Sequence, residues 1–168
     1  MDSRLKELTE AVISATEGMS AQQMRWHPEG KWCAAEVLEH LYLTYTGTIK
    51  AFERLLASPK PLATPATLKQ RWQTFVVLRF NYLPHGRKAP RQTVPRGLPA
   101  ETIRSEVETK IAEMDAVISR CEARFGRSKV LDHPIIGALT AAQWRKFHLV
   151  HGKHHVKQIK KLHELNPR

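Results

Sequence analysis

Cysteine is nearly missing from this chain. Two of 168 residues, Cys33 and Cys121, are cysteines; they form no Cys-x-x-Cys pair and offer no disulfide framework, which fits a reducing compartment and sets the expectation of a cytoplasmic protein. Long apolar runs are missing too. None approaches the ~20 residues that a bilayer-crossing helix needs, so no membrane partner is expected. The start, Met1-Asp2-Ser3-Arg4, places an acid straight after Met1 without an apolar stretch behind it, and does not read as a secretory signal. No Gly-x-Ser-x-Gly is present, so the serine-hydrolase elbow has no support. The residue three before His40 is Val37, and no Glu-x-x-His motif exists, which sets aside a di-iron carboxylate bundle. Internal repeats and low-complexity tracts are absent as well.

Acidic residues are scarce: 16, against 27 lysines and arginines, for a formal charge of +11. Between Arg54 and Ala100 there is no acid at all, while Arg54, Lys60, Lys69, Arg71, Arg79, Arg87, Lys88, Arg91 and Arg96 are basic. Lys153, Lys157, Lys160 and Lys161 form a second cluster. Such a surface attracts nucleic acid, phospholipid or a small anion. The plain alternative is a solvated face that keeps the chain in solution. No helix-turn-helix, zinc-finger or RNA-binding signature accompanies the charge, so a nucleic-acid partner is not expected.

What is present is helical periodicity over a length that suits one domain, 1–168, with its own core. Residues 3–17 carry Leu5, Leu8, Val12 and Ile13 at helical spacing, closed by Gly18. Met19 to Lys31 reads as a connector. A helix is expected from about Trp32 to Ala57, stopped by Ser58-Pro59 and Pro61. Another should span about Ala66 to Tyr82, with Leu68, Trp72, Phe75, Val76, Leu78 and Phe80. The segment Leu83 to Pro99 is proline-rich and patternless, long enough to be a functional cover or a disordered loop. Helices from Ala100 to Phe125, ended by Gly126, and from an N-cap at Thr140 to about Leu165 complete the chain. The link Leu131 to Gly137 reads as a turn. With five helical segments and no convincing strand, the expected class is all-α: a bundle of four main helices with a short additional one.

The last helix carries the chemistry. At about 100° per residue, Trp144, Phe147, His148, His155, Gln158 and Leu162 lie within roughly 60° of His151 on the inward stripe, while Arg145, Lys146, Lys153, Lys157, Lys160 and Lys161 point elsewhere. Imidazoles at i and i+4 reach one ion, as on the helix of zinc proteases. The plain alternative is a pair of core histidines hydrogen-bonded to neighbours. Several inward imidazoles, however, need several partners, and one metal satisfies them together. His154 offers i, i+3 spacing with His151 and ranks behind His155. His148 is a candidate fourth ligand or a group behind the ligands. Gln158 is a candidate to orient a ligand or a bound water, or simply a polar residue at the bundle end. A third ligand must come from elsewhere. His40 shares a face with Cys33, Glu36, Thr44, Gly47 and Ala51, and the small run Thr44, Gly47, Ala51 either allows close packing or leaves a hollow.

Two stretches match a known pattern. Trp26-His27-Pro28-Glu29-Gly30-Lys31-Trp32-Cys33-Ala34-Ala35-Glu36-Val37-Leu38-Glu39-His40-Leu41 resembles the first motif of the DinB-like superfamily, and His151-Gly152-Lys153-His154-His155-Val156-Lys157-Gln158-Ile159 resembles its second. The segment His133 to Thr140 is similar to one found in a branch of that group. The resemblance implies a four-helix bundle in the up-down-down-up arrangement and a divalent ion on His40, His151 and His155. Zinc or nickel is the expected metal, with iron, manganese and copper compatible with imidazole. Characterised relatives include thiol-dependent S-transferases and isomerases that use low-molecular-weight thiols, and family habit suggests a homodimer. Relatives often carry serine where this chain has Cys33.

The expected function is thus a metal-dependent transferase or hydrolase with an open ligand position, a small anionic substrate and a low-molecular-weight thiol as co-substrate. Glu36, one turn before His40, is a candidate general base, and equally a group that hydrogen-bonds a ligand histidine or a helix-surface ion-pair partner. Arg87, Lys88, Arg91 and Arg96 are candidates to contact the anion. The alternatives are a non-enzymatic metal-binding or interaction module, and a basic binder of nucleic acid or another polyanion.

Overall fold

A computed structural model describes residues 1–83 and 88–166. Six helices are present among them: α1 (Ser3–Thr16), α2 (Ala21–Arg25), α3 (Ala34–Ala57), α4 (Leu68–Phe80), α5 (Ala100–Phe125) and α6 (Ala141–Leu165). Two three-residue strands, β1 (Leu131–His133) and β2 (Gly137–Leu139), pair antiparallel between α5 and α6. The protein is therefore mostly helical.

Helix starts follow local capping chemistry. The Asp2 carboxylate accepts from the Arg4 N–H. Ser20 with Gln23, Thr67 with Gln70 and Thr140 with Gln143 form reciprocal capping boxes, each satisfying donors that a helix N-terminus leaves unpaired. After α1 the chain reverses at Gly18, whose φ of +73° suits a residue without Cβ.

Four helices, α1, α3, α5 and α6, pack on one another. Their shared core contains Leu5, Leu8 and Val12 from α1, Leu38, Leu41, Tyr45 and Phe52 from α3, Ile111, Met114 and Ile118 from α5, and Val156 and Ile159 from α6. α1 and α6 approach closely at Gly152, where a Cβ would meet Leu8 Cδ1 at 2.5 Å. Among the described residues no helix is long and apolar enough to cross a membrane.

Several expectations are corrected. The connector after α1 contains a full helical turn, α2. The link at Leu131 to Gly137, read as a turn, opens the β1–β2 hairpin; strands of three residues are too short to show an alternating pattern. Within the proline-rich segment, Arg91–Thr93 forms a 3₁₀ turn. α4 starts at Leu68 because Thr67 caps it, and it leaves Leu68, Trp72, Phe75 and Phe80 exposed rather than presenting them to the core. Arg145 does point away from the His151 stripe, yet it is buried. It donates to Asp115 Oδ1 at 2.8 Å, Glu122 Oε2 at 2.6 Å and Ser119 Oγ at 2.9 Å.

That network ties α6 to α5 through charges withdrawn from water, and breaking one partner of such a pair leaves the other buried and uncompensated. Arg145→Met is expected to lower the unfolding free energy in urea by about 3 kcal/mol. Adding Asp115→Asn to the same chain should recover part of that loss. Equal stability of Arg145→Met and wild type would contradict the assignment.

Candidate metal centre

His40 lies near the start of α3; His151 and His155 sit one turn apart on α6. Their rings meet: His40 Nε2 is 3.3 Å from His151 Nε2, and His155 Nε2 is 3.1 Å from the same atom. One ligand atom from each of the three lies within 4.8 Å of the others.

Hydrogen bonds on the far side of the rings decide which nitrogens carry protons. His40 Nδ1–H donates to the Thr93 carbonyl at 2.8 Å. His155 Nδ1–H donates to Gln158 Oε1 at 2.7 Å. Both acceptors are oxygens that cannot donate, so a neutral imidazole at either position must leave its Nε2 as a bare lone pair. Two lone pairs therefore face His151 Nε2. A proton there would satisfy one of them and leave the other unpaired in a buried setting. A shared cation satisfies all three. Imidazole ligands about 2.0–2.1 Å from one ion, at bond angles of about 90–110°, stand about 2.9–3.4 Å apart, and both Nε2–Nε2 separations fall in that range.

Burial prepares the rings for such a role. Desolvation lowers the pKa of His40 and, with repulsion from His40 added, brings that of His155 to about 3. His151 is pushed well below its ordinary value by desolvation and then by its histidine neighbours. All three are neutral near pH 7, the form that ligates a metal.

A cavity of about 1840 Å³ opens from the triad, well beyond the roughly 300–1,000 Å³ of ordinary ligand sites. Thr44, Gly47 and Ala51 line it, so the small-residue face of α3 borders a hollow. Trp32, Trp72, Val76, Ile136 and Phe147 make apolar walls, and Lys50, Arg54, Lys88 and Lys161 supply positive charge.

The remaining expected site residues divide. Gln158 bridges two imidazoles, accepting from His155 and donating from Nε2 to His154 Nε2 at 3.2 Å. His148 is fully buried beside the triad, its Nε2 3.1 Å from Thr48 Oγ1. Glu36 caps α3: its carboxylate accepts from the Cys33 N–H at 2.8 Å, and it is not among the residues lining the cavity. Cys33 is buried as the N-cap, and desolvation pushes its thiol pKa up. Of the basic candidates, Lys88 lines the cavity; Arg91 and Arg96 are exposed and do not. Arg87 lies outside the described residues.

Sequence reasoning missed Glu39. It is buried, and its carboxylate accepts from the backbone N–H groups of Arg96, Gly97 and Leu98 at 2.7–3.1 Å. Glu39 and His40 thus pin the proline-rich segment to α3 from adjacent positions. The available signal was an acid next to a candidate ligand histidine in a segment reading as core. His133, on the cavity wall against Phe147, was also missed as a site residue.

A family model described as a protein of unknown function, DUF1569, matches residues 1–162, and the chain belongs to that family. No curated protein and no solved structure matches it.

Burial of neutral histidines makes the fold acid-labile. Desolvation brings His133 to a pKa of about 4, and desolvation together with His133 brings His148 to about 3, both from 6.5. The unfolded chain therefore takes up these protons first as pH falls below about 6.5, and the native state loses about 1.4 kcal/mol per pH unit for each ring. Urea unfolding at pH 5 is expected to give a free energy about 4 kcal/mol below that at pH 7 from these two rings alone. A flat profile across that interval would contradict the burial.

Proposed function

We propose that this member of the DUF1569 family is a metal-dependent enzyme that holds one divalent ion on His40, His151 and His155, in a helical bundle of the DinB-like, up-down-down-up kind. The observation that carries the reading is the pair of locked lone pairs on His40 and His155, both directed at His151 Nε2. Zinc or nickel is the metal expected, and iron, manganese or copper is chemically compatible.

When bound, such an ion supplies Lewis acidity that makes a water or a low-molecular-weight thiol nucleophilic near neutral pH. The chain's own residues do the rest. Thr93 and Gln158 hold the His40 and His155 rings by their Nδ1 protons and raise their basicity. Glu39 fixes the backbone that bears Thr93, so the carbonyl cannot drift from His40. Trp32 packs on His40 with ring centroids 5.4 Å apart and keeps bulk water off that face. Lys88, Lys50 and Arg54 suit a substrate bearing negative charge. The cavity has room for a substrate and a thiol side by side, which supports group transfer to or from sulfur, with hydrolysis as the simpler variant.

Metal analysis of protein purified without a histidine tag tests this directly. One equivalent of a divalent metal per chain is expected, and none in the His40→Ala/His151→Ala/His155→Ala variant. A folded wild-type protein that neither carries nor takes up zinc or nickel would defeat the proposal. Gln158→Ala removes the acceptor behind His155, along with the donor to His154, and should weaken metal affinity roughly 10- to 100-fold, read by chelator competition. Unchanged affinity would show that Gln158 does not support the ligand.

A further inference from the structure

His133 closes β1 at the cavity wall, and its ring is held in one tautomer. The backbone N–H groups of Ile135 and Ile136 both donate to His133 Nδ1, at 3.2 and 3.3 Å. A nitrogen that accepts two N–H bonds cannot carry a proton itself, so in the neutral ring the hydrogen must sit on Nε2. The ring is neutral at pH 7, because burial brings its pKa to about 4. No hydrogen-bond partner of Nε2 exists among the described residues, and the ring lines the cavity.

Phe147 links this donor to the histidine triad. Its ring centroid lies 4.3 Å from that of His133 and 5.4 Å from that of His151, stacked on the latter. Phe147 thus stands between His133 and the triad on the lining of one cavity. Around it the walls are apolar and aromatic, from Trp72, Val76 and Ile136.

We propose that His133 is a substrate-binding residue whose Nε2–H donates to a carbonyl oxygen on the apolar or aromatic portion of a substrate lodged in this cavity. An uncharged donor in an apolar wall suits an uncharged acceptor, since neither group brings a charge that would have to be desolvated. The orientation is set by the hairpin turn, so the donor is in place before a ligand arrives and costs no ordering on binding. The inference depends on the hairpin and the cavity and is independent of any ion. Tested on metal-stripped protein, its failure would leave the metal proposal standing, and the reverse also holds.

Acetophenone and ethylbenzene are suitable probes, alike in shape and differing in the carbonyl. His133→Asn is the informative variant. An asparagine side-chain oxygen accepts from backbone N–H groups two and three residues on, as in an Asx turn, so the hairpin is kept while the Nε2–H donor is lost. Affinities of both probes are measured by NMR titration of metal-stripped wild type and variant. The expected result is about a fivefold loss of acetophenone affinity in His133→Asn, with ethylbenzene unchanged. On the unmodified chain, the ¹⁵N resonance of His133 Nε2 should be protonated in the free protein and should move with acetophenone but not with ethylbenzene. An acetophenone-to-ethylbenzene ratio unaltered by the substitution, no detectable acetophenone binding at millimolar concentration, or a proton on His133 Nδ1 would overturn the proposal.

Discussion

Two ring protons govern the architecture of the site. His40 and His155 each commit the Nδ1 proton to an oxygen that can only accept, one from the backbone at Thr93 and one from the side chain of Gln158. Each commitment turns a lone pair inward. Placed 3.1 and 3.3 Å from the same nitrogen of His151, those lone pairs create a buried acceptor excess that the protein's own protons do not fill. Buried polar groups without partners are expensive, and a cation is the partner that the proposed function supplies to them. The geometry is built from outside in: Gln158 sits three residues beyond His155 on the same helix, whereas Thr93 is brought in from a segment far along the chain.

The proline-rich stretch is therefore part of the site rather than a tether. Its backbone N–H groups at Arg96, Gly97 and Leu98 would be orphaned where they meet α3, and the Glu39 carboxylate takes all three. Prolines restrict the chain on either side and reduce what must be ordered on folding. The effect is a strap whose position on α3 is set by Glu39 and whose carbonyl at Thr93 sets the tautomer of His40. A helix and an irregular segment thereby position His40 jointly, and α6 positions His151 and His155.

Much of this was legible in the residue order because helices repeat their contacts at fixed intervals. The i, i+4 spacing of His151 and His155 put both on one stripe, and the run Thr44, Gly47, Ala51 allowed either close packing or the hollow that α3 borders. Other features left no periodic trace. The β1–β2 hairpin is too short to alternate, and the role of His133 depends on a turn that a sequence pattern does not display. Arg145 was assigned a direction but not its burial, because a charged residue is buried only when partners from another helix, here Asp115 and Glu122, meet it in space. Glu36 and Glu39 differ in this respect. Both are acids near His40, but Glu36 caps α3 through a contact only three residues back, whereas the path of the chain far beyond α3 made Glu39 an anchor for the strap.

Proton positions on the three rings decide the site, and ¹⁵N NMR of histidine-labelled protein reads them directly. In metal-free protein at pH 7, His40 and His155 should each show a protonated Nδ1 and a bare Nε2. Zinc added to one equivalent should then shift the Nε2 resonances of positions 40, 151 and 155 together, with no further change beyond that ratio. A proton found on Nε2 of His40 or His155 in the metal-free chain, or zinc shifts confined to α6, would contradict the proposed site.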